Sequence, residues 1–271
     1  MRELDAFALG KRRNRIDDRI AAGECTRAMH TDGTAAGWWD GVRSHWRLKV
    51  WLSVAMTAAF GVLYLSAQRF PIGAVRPAPE TPLDAWIPWM PAAVYLYASL
   101  LLFQAILPWS MRDAGALIVY CRTLLLVTLA AAIVFVLVPT VCPRPADAGE
   151  ANAFYRGMLR VDNPLNAFPS LHAAFAVYSA LGCGRVFAGS RRRTVTLALL
   201  WAWAAAILAA TLLTKQHVIL DIVAGGALGW FGYLLFARHA RLLAVRRADQ
   251  DGAGTHRLDP EPVHVPGRSS E

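Results

Sequence analysis

Apolar residues fall into six long runs along the chain, separated by polar or proline-rich segments. A helix that crosses a lipid bilayer needs about 20 mostly apolar residues, and tryptophans at the ends of the runs are typical of the membrane–water interface. The pattern predicts an all-α fold, an integral membrane bundle of six transmembrane helices within residues 47–237. The predicted spans lie near residues 50–67, 87–107, 115–138, 170–188, 194–213 and 218–237.

Lysine and arginine are concentrated at one end of these spans, and loops with such an excess face the cytoplasm. We therefore predict a cytoplasmic basic N-terminal segment over residues 1–46 and a disordered cytoplasmic tail over residues 238–271. The connections 68–86 and 139–169, and the short link at Lys215, then lie on the extracytoplasmic side. The basic positions at the cytoplasmic end are Lys11–Arg15, Arg112, Arg185, Arg191–Arg193 and residues from Arg238 onward.

Composition agrees with a membrane protein. The 271 residues are 56% apolar and only 17% charged, with a net charge of +9, whereas soluble domains carry about 25% charged residues. Membrane topology explains the basic excess better than nucleic-acid binding does. The four cysteines have no metal or redox spacing, so no disulfide framework is expected. No cleaved signal peptide is expected, and we predict location in the bacterial inner (plasma) membrane.

The connection 139–169 carries chemically informative residues. It begins with Arg144 between two prolines and contains a possible surface helix, Ala151–Arg160, suited to lying in the membrane interface. It ends at Pro169-Ser170, a pattern typical of a helix start, with His172 shortly after. Backbone N–H groups at a helix N-terminus attract phosphate, and the Ser170 hydroxyl adds a donor. The apolar face of the surface helix consists of Phe154, Tyr155, Met158 and Leu159.

His217 and Asp221 are four residues apart, so both lie on one face of a helix. Asp221 can then bond one imidazole nitrogen and leave the other free for chemistry. A carboxylate within an apolar span is costly and usually has a partner and a use. Taken alone, the pair is also consistent with a non-functional interpretation, an ordinary histidine at a helix start beside a buried aspartate.

The predicted topology brings three separated segments to the same membrane face. Arg144 and Lys215 suit a phosphate, the first as a bidentate fork and the second as a point charge. His217, oriented by Asp221, is a candidate nucleophile, and His172 is a candidate acid for the departing alkoxide. Arg122, inside the third predicted span, is expected to snorkel to the interface or to pair with a neighbour.

Three motifs in order resemble the type 2 phosphatidic acid phosphatase superfamily: Arg144-Pro145, then Pro169-Ser170-Leu171-His172, then His217 with Asp221. Leu171 and the run Thr214–His217 look more like its inositol phosphorylceramide synthase branch. The resemblance implies a metal-independent reaction without a cofactor. In it His217 forms the phosphoenzyme, Asp221 orients His217, His172 is the acid, and Arg144 and Ser170 hold phosphate.

The chain departs from the family pattern at two places. Leu137 stands where members often carry lysine, and Ala210-Thr211 stands where many carry Ser-Arg. Lys215 is expected to replace the lost cation as a phosphate-binding residue.

The expected activity is that of a lipid phosphate phosphatase acting on a phospholipid or prenyl-phosphate substrate through a phosphohistidine. The alternatives are transfer of a phospho-head group between lipids, a metal enzyme using His172, His217 and Asp221, or a non-catalytic lipid-binding protein. The expected partners are a lipid phosphate and membrane lipids, without nucleic acid, and the oligomeric state stays open.

Overall fold

A computed structural model describes residues 35–161, 165–188 and 192–255. Helices dominate this part of the chain, and its strands are limited to a short pair. The helices are α1 (Ala35–Arg43), α2 (Trp46–Arg69), α3 (Val94–Ala98), α4 (Leu100–Ser110), α5 (Ala114–Leu137), α6 (Ala153–Val161), α7 (Leu171–Val186), α8 (Arg193–Leu213) and α9 (Ile219–Thr255), and the strands are β1 (Arg76–Pro77) and β2 (Thr140–Val141). The predicted basic cluster at 11–15 lies outside the described residues.

The apolar runs predicted from the sequence form helices, and the all-α membrane bundle is confirmed. Within the described residues, five helical segments are long and apolar enough to cross a membrane. The remaining predicted span, 170–188, corresponds to α7, which has 16 residues and a length of about 24 Å. The number of six spans therefore stays a prediction. The five segments are Trp46–Arg69, Pro91–Ser110, Ala114–Leu137, Arg193–Leu213 and Ile219–Arg247.

Helix α7 lies at the centre of the bundle, packed against α4, α5, α8 and α9. Most of its side chains are buried, and two glycines let α9 come unusually close to it. A Cβ added at Gly225 would lie 2.1 Å from the Ser170 carbonyl oxygen, and one at Gly229 would lie 2.2 Å from that of Ala174. Small residues allow such backbone contact between membrane helices. The first turns of α7 and α9 consequently lie side by side.

Three connections meet in a small layer of extended backbone at the end of the bundle where α7 and α9 begin. Strands β1 and β2 pair in parallel, Arg76 with Thr140 and Pro77 with Val141. Thr140 also bridges in parallel to Asn166. We call residues 76–77, 140–141 and 166 the loop layer. It fixes the chain immediately before Arg144 and immediately before the start of α7.

Helix α6 confirms a short helix in the connection 139–169, but its apolar face packs largely on protein. Tyr155 is fully buried, donates its hydroxyl to the Thr214 carbonyl at 2.9 Å and contacts the Trp89 ring edge-on. Phe154 stays half exposed and contacts Tyr95. The sequence shows that these side chains share a face, but it does not show that the neighbouring connection carries aromatic partners for them.

The tail prediction is wrong over residues 238–255, because α9 continues to Thr255. The segment 238–248 has no glycine or proline and is rich in alanine, leucine and arginine, which are strong helix formers. Leu243 and Ala244 pack against the core. The residues after 255 lie outside the described part of the chain. Arg122 of α5 is exposed on the outer surface of the bundle.

The glycine contact generates a test of the fold. Gly229→Ala should lower the thermal midpoint of the purified protein and its activity, because overpacking costs about 1–3 kcal/mol. Gly226→Ala is the matched control, since its Cβ would meet only Val177 Cγ2 at 3.7 Å. Both substitutions replace glycine by alanine within α9, so both raise the helix propensity of the segment by the same amount. Thermal unfolding in detergent measures the difference, and equal midpoints for the two variants would contradict the close α7–α9 contact.

Candidate active site

The turn between α8 and α9 carries His217 to the end of the bundle. The Thr211 carbonyl accepts the N–H groups of Gln216 at 3.1 Å and of His217 at 3.3 Å, which closes the end of α8. Lys215 adopts a φ of 54°, in the left-handed region that L-residues visit rarely. This reversal allows α9 to begin at Ile219, two residues after His217.

The imidazole of His217 is held through its Nδ1 atom. Nδ1 lies 2.9 Å from the Ala167 carbonyl oxygen and 3.5 Å from Asp221 Oδ2. A carbonyl can only accept a hydrogen bond, so Nδ1 carries a hydrogen, and in the neutral form of the ring the lone pair is on Nε2. The closer partner is therefore a backbone carbonyl, and the carboxylate is second. His217 is 8% exposed and is one of the residues that line a cavity.

Asp221 is completely buried behind His217. Its Oδ2 accepts the Val218 N–H at 3.1 Å and lies 3.6 Å from the Cys142 thiol. Burial and the negative charge of Asp221 raise the pKa of that thiol, so Cys142 stays protonated and donates. Oδ1 has no hydrogen-bond partner in the described part of the chain. An incompletely paired buried carboxylate is costly, which favours a functional role over a structural one.

His172 lies beside His217 at the start of α7. The two ring centres are 5.9 Å apart, and the other face of the site is closed by Tyr97, whose ring stacks on His172 at 4.0 Å. Ser170 caps the helix by accepting the Ala173 N–H at 3.3 Å. Its own N–H donates to the Asp221 carbonyl at 3.0 Å, which links the two helix starts directly.

A cavity of about 280 Å³ opens in front of His217, lined by Arg144, Lys215, Cys142, Asp84 and Glu80 among others. Lys215 donates its ammonium to the carbonyls of Ile87 at 2.7 Å and Asp84 at 3.2 Å. It therefore contacts the cavity while anchored to the connection before α3.

Asp84 lies opposite and caps α9, since its Oδ1 accepts the Ile219 N–H at 2.9 Å. Burial alone would raise the pKa of Asp84, but hydrogen bonds from Thr81 and Ile219 and the charge of Lys215 lower it below the usual value. Asp84 is therefore ionised at neutral pH and offsets the charge of Lys215 locally.

The predicted site residues are brought together at one end of the bundle. Arg144, Lys215 and His217 line the cavity, and Asp221 and His172 each contact His217. The Ser170 hydroxyl caps α7 instead of lining the cavity. The roles of all the predicted site residues stay predictions. Asp84, Cys142 and the Ala167 carbonyl are parts of this site that were not predicted from the sequence.

Those three residues carry no local signal in the sequence. Asp84 is 135 positions before the N–H that it caps, and Cys142 is 79 positions before Asp221. A main-chain carbonyl has no side-chain signature at all. Each could be recognised only after the three connections had been placed together.

The sequence matches the family model described as the PAP2 superfamily over residues 80–235. This region is more than half of the chain and contains the cavity and both histidines. The chain belongs to the PAP2 superfamily. Comparison with curated proteins and with solved structures finds no match. PAP2 proteins are phosphatases or phosphotransferases, so this chain is a membrane enzyme of that type acting on lipid phosphates.

The two partners of His217 Nδ1 generate a test. Asp221→Asn keeps the side-chain volume, and the Ala167 carbonyl still fixes the tautomer. We expect kcat for phosphate release from a lipid phosphate to fall roughly 10²-fold, well short of the about 10⁴-fold loss found where a carboxylate alone sets the tautomer. Thermal midpoints of both proteins would control for folding. A loss near 10⁴-fold would assign the tautomer to Asp221, and an unchanged kcat would deny the carboxylate any role.

Proposed function

We propose that this PAP2 protein hydrolyses a phospholipid or prenyl-phosphate type substrate through a phosphohistidine on His217. The observation that carries the proposal is the hydrogen bonding of the His217 imidazole. Its Nδ1 is hydrogen-bonded to the Ala167 carbonyl at 2.9 Å, and His217 lines a cavity that Arg144 also lines. A histidine held in this way presents a lone pair on Nε2 to a bound phosphate.

The reaction runs in two steps. Nε2 attacks phosphorus, the bond from phosphorus to the lipid oxygen breaks, and protonated His172 gives its proton to the departing alkoxide. Neutral His172 then takes a proton from water as the water oxygen attacks the phosphohistidine. Inorganic phosphate leaves and both histidines regain their starting states. The ring centres of the two histidines are 5.9 Å apart, so the proposed acid lies next to the proposed nucleophile.

Charged groups around the cavity suit different parts of this reaction. Arg144, half-buried on the cavity wall, would bind the phosphate oxygens with its planar fork. Asp221 would stabilise the positive charge that the ring carries once Nε2 is phosphorylated. Lys215, in the turn between α8 and α9, would add a positive charge that the neighbouring Asp84 partly offsets. The start of α7 at Ser170 offers backbone N–H groups.

The geometry supports a metal-independent reaction over a two-histidine, one-carboxylate metal site. Asp221 contacts His217 on the Nδ1 side, whereas a metal in the cavity would bind Nε2 on the opposite side of the ring. The Asp221 carboxylate and the Nε2 lone pair of His217 therefore point to different places and would not bind one metal ion together. Assay after treatment with a chelator and dialysis tests this directly, because a metal enzyme would lose activity and regain it on addition of the ion.

Transfer of a phospho-head group is the second candidate, favoured by the motif Pro169–His172, where Leu171 looks like the inositol phosphorylceramide synthase branch. Hydrolysis and transfer share the same first half-reaction and differ only in whether water or a lipid hydroxyl attacks the phosphohistidine. Phosphate release measured with and without an alcohol acceptor separates them. A transferase would release little phosphate alone and would form a new phosphate ester when the acceptor is added. The product is a monoester if the bare phosphoryl group is transferred, and a phosphodiester if the head group stays on phosphorus in the intermediate.

The localisation is part of the proposal. The distribution of lysine and arginine supports cytoplasmic termini and an extracytoplasmic active site in the inner (plasma) membrane. Reporter fusions should place position 155, in α6, outside, and position 186, at the end of α7, inside. The alkaline phosphatase and fluorescent-protein readouts give opposite signals for the two sides. Both positions on one side would refute the arrangement.

The division of labour between the histidines generates the main test. His217→Ala should form no phosphoenzyme and should not turn over, since the attacking nitrogen is gone. His172→Ala should lose much more rate with an alkyl phosphate than with nitrophenyl phosphate, because a good leaving group needs little protonation. Acid-labile radiolabel from a labelled substrate measures the intermediate, and kcat for each substrate measures the leaving-group effect.

Other outcomes would contradict specific parts of the proposal. Label trapped in His217→Ala but absent from His172→Ala would reverse the two roles. A His172→Ala defect of equal size for both leaving groups would show that His172 is not the acid. Full turnover by His217→Ala would remove the phosphohistidine mechanism, and absence of turnover by the wild-type protein across lipid phosphates would favour a non-catalytic lipid-binding protein.

A further inference from the structure

The Ala167 carbonyl that holds His217 is itself held by a residue of the loop layer. Thr140 makes two hydrogen bonds to this part of the chain. Its backbone carbonyl accepts the Ala167 N–H at 3.3 Å, and its hydroxyl accepts the Phe168 N–H at 2.8 Å. Thr140 is 5% exposed and Ala167 is 3% exposed, so water has little access to these bonds.

The second bond acts on the same peptide group that contacts His217. The Ala167 carbonyl and the Phe168 N–H belong to one planar peptide unit and point in opposite directions from it. The Thr140 hydroxyl therefore holds one edge of the plane while His217 Nδ1, 2.9 Å from the carbonyl oxygen, binds the other. Rotation of this plane would turn the carbonyl away from the imidazole.

We propose that Thr140 is a positioning residue, whose hydroxyl fixes the Ala167–Phe168 peptide so that its carbonyl sets the tautomer and the rotation of His217. This inference rests on the proposed role of His217 as the nucleophile. Thr140 is not one of the residues that line the cavity, and its bonds to this segment go to the N–H groups of Ala167 and Phe168, so its proposed action on His217 runs through the carbonyl. A nucleophile that is displaced by about 1 Å from its productive position can lose about 10²-fold in rate.

The contribution of the side chain can be separated from that of the strand. The pairing of β2 with β1 and the bond from Ala167 N–H use only the backbone of Thr140. Thr140→Val keeps the shape and the strand propensity of the side chain and removes only the acceptor for the Phe168 N–H. Thr140→Ser keeps the hydroxyl and removes a methyl group.

The experiment compares phosphoenzyme formation in these two variants of the full-length protein, with Thr128→Val as the matched control. Thr128 is equally buried, and its hydroxyl bonds only within α5, to the Leu124 carbonyl at 2.9 Å. We expect Thr140→Val to lose roughly 10- to 10²-fold in kcat with KM nearly unchanged, since Arg144 and the cavity stay in place. Thr140→Ser should recover to within a few-fold of wild type, and Thr128→Val should stay at the wild-type rate.

Several outcomes would overturn the inference. The first is a wild-type kcat for Thr140→Val. The second is a folded Thr140→Ser whose kcat is as low as that of Thr140→Val. The third is a Thr128→Val variant that loses as much kcat as Thr140→Val when both have lost the same amount of thermal midpoint. If Thr140→Val does not fold, the Ser variant decides, because it must fold and keep activity. Failure of the proposed function is visible separately, since His217→Ala would then retain its phosphoenzyme regardless of Thr140.

Discussion

The close contact between the first turns of α7 and α9 sets the positions of the side chains proposed to act in catalysis, which are His172, His217 and Asp221. The glycines of α9 allow the helices to approach until the Ser170 N–H donates to the Asp221 carbonyl at 3.0 Å. One helix start carries His172 and the other follows His217, so this single bond sets the two imidazoles relative to each other. A shift of one residue along either helix turns a side chain by about 100° and would separate them.

The sequence predicts the side chains of the site far better than it predicts their supports. The i, i+4 spacing of His217 and Asp221 and the helix start at Ser170 are local features, which can be recognised directly in the sequence. The backbone carbonyl of Ala167 and the capping carboxylate of Asp84 depend on contacts between distant connections, which have no periodic signal. The same limit explains why α6 is predicted as a helix while its protein-facing partners are not.

Lys215 illustrates how one residue can serve geometry and charge together. The chain reverses at this residue with a φ of 54°, and its ammonium group bonds two carbonyls of the connection before α3. Asp84 from that same connection caps α9. The α8–α9 turn is thus attached at two points to a segment more than 120 residues earlier. Hydrogen bonds to neutral carbonyls leave the charge of the ammonium in place, and the ionised carboxylate of Asp84 beside it offsets that charge locally.

A carbonyl and a carboxylate on the same imidazole nitrogen perform different tasks. The Ala167 carbonyl is neutral, so it fixes the tautomer without favouring either charge state strongly. Asp221 is a buried anion, and removing such a charge from water is unfavourable unless a cation faces it. In the proposed mechanism such a cation is the His217 ring phosphorylated at Nε2 with hydrogen on Nδ1. Under that proposal the carboxylate is best matched to the phosphohistidine and to the transition state leading to it. This is the condition for a group to accelerate a reaction rather than only to bind its substrate.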